Sequence, residues 1–565
     1  MKKKILIPLV LCSLLVSCGP AAVGSESSGG GTSESESKDD TPATEIVIYA
    51  GGSAEYSWRK GALEEEVYRA VEDAYYQDTG KKLRFNPQFF TQNMKNTITN
   101  NVTTGEIDIV ISHTGGGDGI DDWIMQNGLY RDLYYDYEDY EYLNANMVWT
   151  NEDESLTLNA KARLLTANDE IIGIPSVINP YKYGILVRKD WMNACGYTDV
   201  VDPNHPERKI VDNYVTFEEM CLAMKERYNL PYSISGAIYE IEKTGILGAF
   251  DVPAGYYTKS VDTYNGQNIL DVGGLIDPKY SDVLEVESRW IKNGILPKSP
   301  DDKHIDDCEA DFVAQKTGVF LENPTVEHLI EVARLCKKQN PSAEFTVLQA
   351  MTKDDTSTSK GFMRNSVATF GAVITKNTKD YKDILSFINW AYSSQENYDL
   401  CRYGVLNKHY FLDENGNYYY PENYSVENKP YSGILTLVEN QLISNRQYAG
   451  YTEEEKTWIA NANKKENYLI NDSVDYLLYL NNKEELNKHF ANRKAMYNFT
   501  TNIWAGLYDF VKNHVHDNHK DATTCKVYNN DDRMAITNKY LQDTSKYAME
   551  VYTLYQNLKK AAEDI

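Results

Sequence analysis

Two glycine-rich loops near the start of the chain concentrate side chains that could contact a small polar ligand. The loops cover residues 51–58 and 112–119, and each follows a short run of apolar residues. Flat aromatic rings can pack on the C–H faces of a sugar, while carboxylates and imidazoles can bind its hydroxyl groups. The candidates are Glu55, Tyr56 and Trp58 in the first loop and His113 and Asp118 in the second. Helix capping or a plain glycine turn is the alternative interpretation.

A second set of candidates lies in the middle of the chain, where polar and aromatic residues border further predicted strands. These side chains would serve the same stacking and hydrogen-bonding chemistry, and hinge packing is the alternative for the first two tyrosines. The residues are Tyr181, Tyr183, Asp251, Tyr256, Tyr257, Glu322, Asn323 and Asn365.

The sequence contains no familiar catalytic motif. It has no GxSxG nucleophile motif, no HExxH zinc pair, no GxxxxGK[ST] phosphate loop and no CxxC pair. The last glycine of a GxGxxG fingerprint would fall on Ile120. We therefore predict no catalytic residue and no cofactor. A glycoside hydrolase remains the enzyme alternative, because it needs only two carboxylates roughly 5–10 Å apart and the chain has 83 acidic residues.

Two short segments resemble metal sites at first sight. His514, His516 and His519 lie close together in a composition that transition metals favour, and an exposed loop is the preferred interpretation. Residues 413–417 lack the glycine at position six and the glutamate at position twelve of a calcium loop. We predict a tight hairpin turn at Asn415-Gly416 instead. We therefore predict no metal site, and a metal ion bound by the three histidines is the alternative.

Strand-like and helix-like segments alternate at the start of the body. A β-rich run at 45–50 precedes a helical period at 62–78 that Gly80 should end, and further strands are predicted at 82–90 and 107–111. Such alternation predicts an α/β fold with doubly wound, mostly parallel sheets. Ligands of such sheets bind beyond the carboxyl ends of the strands, where the two glycine-rich loops fall.

The pattern restarts with a strand that runs into a helix at 181–191. Thr216 and Glu219 match a capping box, with Thr216 as the predicted N-cap of the next helix. Helical patterns then dominate residues 376–565, for example at 486–510. The last third of the chain should therefore pack against the lobes that the preceding residues form.

The first residues predict export. Three lysines precede an apolar run from Ile5 to Val16, which is typical of a secretory signal and short for a membrane-spanning helix. The ending LVSC resembles a bacterial lipobox, in which the peptide is cut before the cysteine and the thiol carries a lipid. We expect Cys18 to anchor the mature protein to a membrane, with an ordinary cleaved signal as the alternative. Residues 19–44, mostly Gly, Ser and Glu, should form a disordered tether.

Length and charge narrow the class of protein further. The body at 45–565 is too long for a single core and suggests two lobes or more. The formal net charge of −26 repels nucleic acid, so a nucleic-acid partner is not expected. The 44 tyrosines provide amphipathic faces suited to sugars, although most must serve ordinary packing.

Five segments carry a resemblance to a known family. TGEIDIV at 104–110 is similar to that family's SGDxPDIV without its proline, and GIP at 173–175 followed by ILVRKDW at 185–191 is similar to its GIP…lwiRKDWld. FVAQKTGVFLENP at 312–324, LSFINWAYSSQE at 385–396 and YGV…HYFLDENG at 403–416 resemble three more of its segments. In this order they resemble the bacterial extracellular solute-binding proteins of family 1, especially the larger lipoproteins of oligosaccharide ABC importers.

The resemblance implies a two-lobed, periplasmic-binding-protein-like fold of type II that closes on a solute, with a helix-rich C-terminal part. The predicted segments are the signal peptide at 1–18, the tether at 19–44, the first lobe at about 45–165 plus part of the C-terminal region, the second lobe at about 166–375, and the helical region at 376–565.

The resemblance also implies a function. We expect a receptor on the extracytoplasmic face of the cell membrane, anchored by lipid at Cys18, that captures a carbohydrate and delivers it to the permease of an ABC importer. An oligosaccharide is the expected ligand, and no catalysis is expected. A glycoside hydrolase, or a receptor for a non-sugar solute such as a peptide or a metal complex, are the alternatives.

Overall fold

The computed structural model describes residues 42–50, 60–89, 95–111, 124, 127–150, 157–159, 164, 170–177, 182–236, 245–252, 261–264, 267–270, 280–297, 305–322, 325–365, 371–425 and 428–471. Backbone contacts divide the chain into a unit Met1–Pro42 and a unit Ala43–Ile565. The described helices and strands belong to the second unit.

Helices and strands alternate through most of this unit. The strands are β1 Thr44–Ala50, β2 Leu83–Phe89, β3 Ile109–Ile111, β4 Val148–Thr150, β5 Thr157–Asn159, β6 Ile185–Arg188, β7 Tyr197–Thr198, β8 Lys209–Ile210, β9 Ile234–Ser235, β10 Val261–Tyr264, β11 Gln267–Leu270, β12 Val319–Phe320, β13 Phe345–Leu348, β14 Phe362–Asn365, β15 Ala372–Ile374, β16 Phe411–Leu412, β17 Tyr418–Tyr419 and β18 Tyr468–Asn471. The helices are α1 Glu64–Thr79, α2 Lys95–Thr104, α3 Glu141–Ala145, α4 Lys189–Ala194, α5 Tyr214–Tyr228, α6 Leu247–Ala249, α7 Tyr280–Asn293, α8 Ile305–Val313, α9 Val326–Gln339, α10 Tyr381–Ala391, α11 Gln395–Tyr403 and α12 Glu453–Ala462.

The first sheet has the order β2-β1-β3-β15, in which β1 is parallel to β2 and β3 while β15 is antiparallel to β3. Helix α1 buries Val67 and Val71 at helical spacing in the core beside this sheet. The helix ends at Gly80, whose φ of 71° is the left-handed conformation that glycine adopts without strain. The predicted strands at 45–50 and 82–90, and the helix between them, are confirmed.

The second sheet has the order β13-β6-β12-β9, in which β6 is antiparallel to both of its neighbours and β12 is parallel to β9. All four residues of β6 are buried. Ile185 and Val187 join the core that contains α5, whereas Leu186 joins the core between α8 and α9. Because successive side chains point to opposite faces, this burial requires a layer of packing on each side of the sheet.

Two segments that the sequence assigned to the second lobe belong to the first sheet. Strand β15 pairs with β3, and the backbone N–H of Ile174 donates to the Ala372 carbonyl of β15 at 2.8 Å. Both segments contribute to the core around the first sheet. Within the predicted second-lobe range of 166–375, the segments around Ile174 and Ala372 therefore pack with the first sheet, whereas Trp458 of α12 and Tyr468 join the cores of the second sheet. Pairing between distant segments decides this membership, and no local pattern reveals such pairing.

Helix α5 begins before the predicted N-cap. Asn213 is the cap, and its side-chain oxygen accepts a hydrogen bond from the backbone N–H of Thr216 at 2.9 Å. The predicted capping box at Thr216 is therefore wrong, because Thr216 lies inside the helix with its hydroxyl buried and unbonded among the described residues. A capping box does occur at the start of α12, between Thr452 and Glu455.

The region after α11 is less helical than predicted up to residue 471. Strands β16 and β17 form the predicted hairpin, in which the Asp413 carboxylate accepts hydrogen bonds from the backbone N–H groups of Asn415 and Asn417 at 2.9 and 2.8 Å. The predicted helix at 486–510 lies outside the described residues. Within the described part of the chain, no helix is both long and apolar enough to cross a bilayer.

Candidate functional site

The three parallel strands of the first sheet end at the same level. Ala50, the last residue of β1, pairs with Phe89 at the end of β2 and with Ile111 at the end of β3. Ligands of doubly wound sheets bind beyond such carboxyl ends, so this edge is one half of the candidate site. The residues that continue from it, including the candidates Glu55, Tyr56, Trp58, His113 and Asp118, lie outside the described residues.

The second sheet provides a corresponding edge. The carboxyl ends of β9, β12 and β13 lie on the same side of the sheet as the amino end of β6, because β6 is antiparallel to β12 and β13. Glu322 is at this edge, two residues beyond β12, and only 4% of it is exposed. A side chain on Gly236, which follows β9, would approach Leu321 to 3.1 Å. The edge is therefore tightly packed around Glu322.

Tyr183 lies at the amino end of β6, on the same edge. Its backbone N–H donates a hydrogen bond to the Tyr468 hydroxyl at 2.6 Å. Its ring meets Phe362 edge to face, with ring centres 6.5 Å apart. Tyr183 also forms an isolated β-bridge with Thr325, the residue before α9. The half-buried Tyr183 ring thus borders the β12–α9 connection that carries Glu322.

Two further candidates border strand β14. Asn365 is the last residue of β14 and pairs in register with Asn471, the last residue of β18. Asp251 is exposed on the turn after α6, with a φ of 57°. Helix α6 approaches the start of β14 so closely that a side chain on Gly248 would lie 2.1 Å from the Gly361 carbonyl oxygen. Asn365 therefore lies at the end of β14, while Tyr183 and the turn that carries Asp251 lie near its start.

The other residues that the sequence predicted for ligand, lipid or metal binding lie outside the described part of the chain. They are Tyr181, Tyr256, Tyr257, Asn323, Cys18, His514, His516 and His519. Among the residues that are described, no group of three or more His, Cys, Asp or Glu side chains is arranged to hold a metal ion.

A charged pair that the sequence did not predict lies where the chain crosses between the lobes. Arg402, near the end of α11, donates from Nη2 to Glu439 Oε1 at 2.9 Å, and Gln441 Nε2 donates to the same oxygen at 3.0 Å. The Glu439 carbonyl accepts a hydrogen bond from Val177, after which the chain leaves the first lobe. Burial alone raises the pKa of Glu439, but the charges of Arg402 and Lys182 outweigh it and lower this pKa to about 2. Glu439 is therefore ionised near neutral pH and acts there as a hydrogen-bond acceptor.

Tyrosines surround this charged pair. The Tyr403 hydroxyl accepts a hydrogen bond from Arg402 Nε at 3.1 Å, and the Tyr403 ring centre is 4.6 Å from that of Tyr418. The Tyr418 ring in turn lies 5.5 Å from Tyr420 and 5.4 Å from Tyr448, and these three side chains are half-buried. Ionised groups beside aromatic faces can bind both the hydroxyl groups and the C–H faces of a sugar. The run of three tyrosines at 418–420 could have indicated an aromatic cluster from the sequence. No sequence pattern indicates that Arg402 and Glu439 form a pair.

Comparison with known proteins identifies the fold. No protein-family model matches the chain, and no curated protein matches it by sequence. The N-glycan transport solute binding protein NgtS from Streptococcus pneumoniae is 14% identical, with a TM-score of 0.57 over 90% of this chain and 99% of its own. The alginate-binding protein AlgQ2, in a structure without calcium ion, is 14% identical, with a TM-score of 0.55 over 93% and 98%.

A third solved structure is similar to the same extent. The HMO binding ABC-transporter associated solute binding protein from Bifidobacterium longum infantis is 12% identical, with a TM-score of 0.57 over 91% of this chain and 100% of its own. All three are binding proteins with a two-lobed architecture. The chain therefore has the two-lobed α/β fold of periplasmic binding proteins, as the sequence predicted.

Proposed function

We propose that this chain is a lipid-anchored, extracytoplasmic receptor that captures an oligosaccharide and delivers it to an ABC importer. Within this proposal it is a member of the bacterial extracellular solute-binding proteins of family 1, and it binds its ligand without transforming it. Cys18 carries the lipid, and residues 19–44 form the tether between the membrane and the body.

The observation that carries the proposal is the fold shared over at least 90% of the chain with three solved binding proteins. Their titles name N-glycan transport, alginate binding and HMO binding in association with an ABC transporter. The ordered family-like segments and the lipobox support the same assignment independently, because they come from the sequence and not from the fold.

The arrangement of the two sheets supports a binding mechanism without catalysis. One edge of each sheet presents the carboxyl ends of parallel strands, and the chain crosses between the lobes beside Glu439. A ligand that contacts both edges favours the closed form by its extra contacts in that form. An importer can then distinguish the loaded receptor from the empty one by shape alone.

Thermal unfolding of the full chain against a ligand panel tests the function. The panel holds oligosaccharides, monosaccharides, peptides and divalent metals, and each sugar is recovered afterwards and checked for cleavage. A ligand at a hundredfold excess over its Kd stabilises the native state by about 2.7 kcal/mol, which raises the melting temperature. We expect a selective shift with an intact oligosaccharide. Sugar fragments would establish the hydrolase alternative, and a shift with peptide or metal alone would overturn the carbohydrate assignment.

A separate experiment tests the anchor. We expect the full chain, produced in a bacterial host, to fractionate with the membrane and to incorporate a labelled fatty acid. The variant Cys18→Ala should lose the label and leave the membrane fraction. Cys12→Ala is the matched control, because Cys12 lies inside the apolar run of the same signal. Membrane attachment that survives Cys18→Ala would contradict the anchor.

A further inference from the structure

The chain crosses from the first lobe to the second at residues 447–452, and every residue of this crossing is described. Just before the crossing, Arg446 donates from Nε to the carboxylate of Asp399, in α11 of the first lobe, at 2.6 Å. Just after it, α12 buries Trp458 in the core beside α8 and α9 of the second lobe. The crossing therefore has one lobe on each side.

The first lobe holds the first half of the crossing. The backbone N–H of Tyr418, in β17, donates to the Gln447 carbonyl at 2.9 Å, and the N–H of Ala449 donates to the Tyr418 carbonyl at 2.7 Å. These two bonds make a β-bridge between Tyr418 and Tyr448, whose ring centres lie 5.4 Å apart. The backbone up to the Ala449 N–H is therefore attached to the first lobe.

The second lobe holds the second half. Arg334, on α9, donates from Nη2 to the Gly450 carbonyl at 2.8 Å. The same guanidinium binds both carboxylate oxygens of Glu455 in α12, each at 2.8 Å, and a bidentate pair of this kind fixes the orientation of its partners. Glu455 also closes the capping box with Thr452. The backbone from the Gly450 carbonyl onwards is therefore attached to the second lobe.

Only two residues separate the two attachments. Between the Ala449 N–H and the Gly450 carbonyl lie the two soft backbone torsions of each residue. In the described part of the chain, neither the Ala449 carbonyl nor the Gly450 N–H makes a hydrogen bond. The Tyr451 N–H closes the turn on the Tyr448 carbonyl at 3.3 Å, which is long for such a bond. The turn can therefore change shape while both attachments stay intact.

Two tyrosine rings meet across this turn. The Tyr448 ring contacts Tyr451 edge to face, with ring centres 5.4 Å apart. Tyr451 packs against the core that contains α9, and the Arg334 guanidinium lies 5.5 Å from its ring centre. A side chain on Gly450 would approach the Tyr448 ring to 2.5 Å, so glycine is what lets the turn pack on this ring. A change in the angle between the lobes would slide one ring along the other.

We propose that the turn at 448–451 is a hinge of lobe closure, which bends at Ala449 and Gly450 while Arg334 carries its second half with the second lobe. The inference rests on the proposed function, in which the receptor closes on its ligand. Hinges consist of a few loop or element-end residues that absorb the change in φ and ψ. Arg334 is a positioning residue in this arrangement, because it acts through the turn.

A reversible lock tests the hinge in the full chain. Tyr448→Cys combined with Tyr451→Cys places two thiols at the ends of a β-turn, whose Cα atoms are within about 7 Å and so within reach of a disulfide. Spin labels attached through ketone amino acids replace Tyr135 and Val201, which are 79% and 72% exposed on the first and second lobe. Pulsed electron paramagnetic resonance then gives the distribution of interlobe distances. We expect oxidation to narrow this distribution in the empty chain and a reductant to restore it.

Two matched comparisons accompany the lock. Phe411→Cys with Tyr419→Cys forms a disulfide between paired residues of the hairpin β16–β17, inside the first lobe, and should leave the distribution unchanged. Arg334→Gln tests the same hinge without a disulfide and should broaden the distribution, because it detaches the turn from α9. Lys338→Gln, at an exposed position of the same helix, should not broaden it. Circular dichroism checks that every variant is folded.

The possible results separate this inference from the proposed function. A distribution that the disulfide between positions 448 and 451 leaves unchanged overturns the hinge, and one that Arg334→Gln leaves unchanged overturns the role of Arg334. These measurements use no sugar. Alginate and N-glycan oligosaccharides then serve as probes, and a probe that binds should shift the mean distance in the reduced form only. A shift in both forms overturns the hinge, whereas binding of none of the probes counts against the proposed function and leaves the result on the empty chain standing.

Discussion

The backbone N–H of Tyr183 donates a hydrogen bond to the hydroxyl of Tyr468 at 2.6 Å. The same hydroxyl donates to the carbonyl of Ala462 at 2.6 Å, so one buried tyrosine joins the start of β6 to the end of α12. Residues 285 positions apart are thus held together at the edge of the second sheet where β9, β12 and β13 end. The position of a predicted ligand residue therefore depends on a tyrosine from the far end of the described chain.

Removing this hydroxyl should destabilise the second lobe. We expect Tyr468→Phe to lower the free energy of unfolding by about 1–3 kcal/mol, because it leaves a buried N–H and a buried carbonyl without their partner. Urea denaturation measures the difference. Tyr419→Phe is the control, since Tyr419 is 39% exposed and its hydroxyl makes no hydrogen bond among the described residues. Equal stability of the two variants would contradict a structural role for the Tyr468 hydroxyl.

The pKa of Glu439 predicts a pH dependence of stability. The native value of about 2 lies below the ordinary value of 4.5. A lowered native pKa contributes stability that is complete above pH 4.5 and is lost as the pH falls towards 2. We therefore expect the parent chain to be more stable than Glu439→Gln near neutral pH and this difference to shrink between about pH 5 and pH 2.

Thermal unfolding of both chains across that pH range measures the difference. Glu422→Gln is the control, because Glu422 is exposed and makes no hydrogen bond or ion pair in the part of the chain that is described. A difference for Glu439→Gln that stays constant from pH 7 to pH 2 would contradict the coupling to Arg402 and Lys182.

A buried charge network holds the hairpin β16–β17 to α11. Asp399 is 1% exposed and accepts hydrogen bonds from Ser444 Oγ at 2.5 Å and Arg446 Nε at 2.6 Å, while Arg446 Nη1 donates to the Gly416 carbonyl of the hairpin. We expect Asp399→Asn to cost about 3 kcal/mol, because it leaves Arg446 partly buried without a counter-charge.

Glu453→Gln provides the matched comparison for that network. It removes one partner of the exposed pair Glu453–Lys456, whose carboxylate side chain is 89% exposed. Such surface pairs contribute about 0–1 kcal/mol. Chemical denaturation should therefore give a clearly larger loss of unfolding free energy for Asp399→Asn than for Glu453→Gln. Similar losses would show that the buried Asp399 network contributes no more to stability than an exposed ion pair.

The start of helix α5 can be tested by two substitutions in the same turn. Asn213→Ala removes the cap and should cost about 1–2 kcal/mol. Thr216→Val removes a buried hydroxyl that has no described partner and should be neutral or stabilising. Urea titration gives the unfolding free energies of both variants. If Thr216 were the cap, Thr216→Val would be the more destabilising of the two substitutions.

Sequence patterns predicted the elements of the first lobe because their signals are local. The alternation in β1, the helical spacing of Val67 and Val71, and the stop at Gly80 each depend on residues within one element. The cap of α5 was misplaced although it is also local, because Asn213 and Thr216 are both good capping residues and only the backbone distinguishes them. The hairpin at Asn415-Gly416 was predicted correctly for the same local reason.

The candidate site was predictable only in part. The rule that ligands bind beyond carboxyl strand ends directed attention to one edge of the first sheet, and the structure confirms that β1, β2 and β3 end together there. It gave no reason to select Arg402 and Glu439, which are 37 residues apart and meet only because the chain returns to the first lobe.

The sequence by itself determined the alternation of strands and helices and with it the α/β class, because hydrophobic period and glycine position act over a few residues. Its resemblance to a known family implied the two lobes, and the export signal stays a prediction. The tertiary structure alone decided that β15 belongs to the first sheet and that Arg402, Glu439 and the tyrosines form one cluster. Contacts of this kind depend on how distant segments pack against each other, and a hydrophobic pattern specifies that a face is buried without specifying which segment covers it.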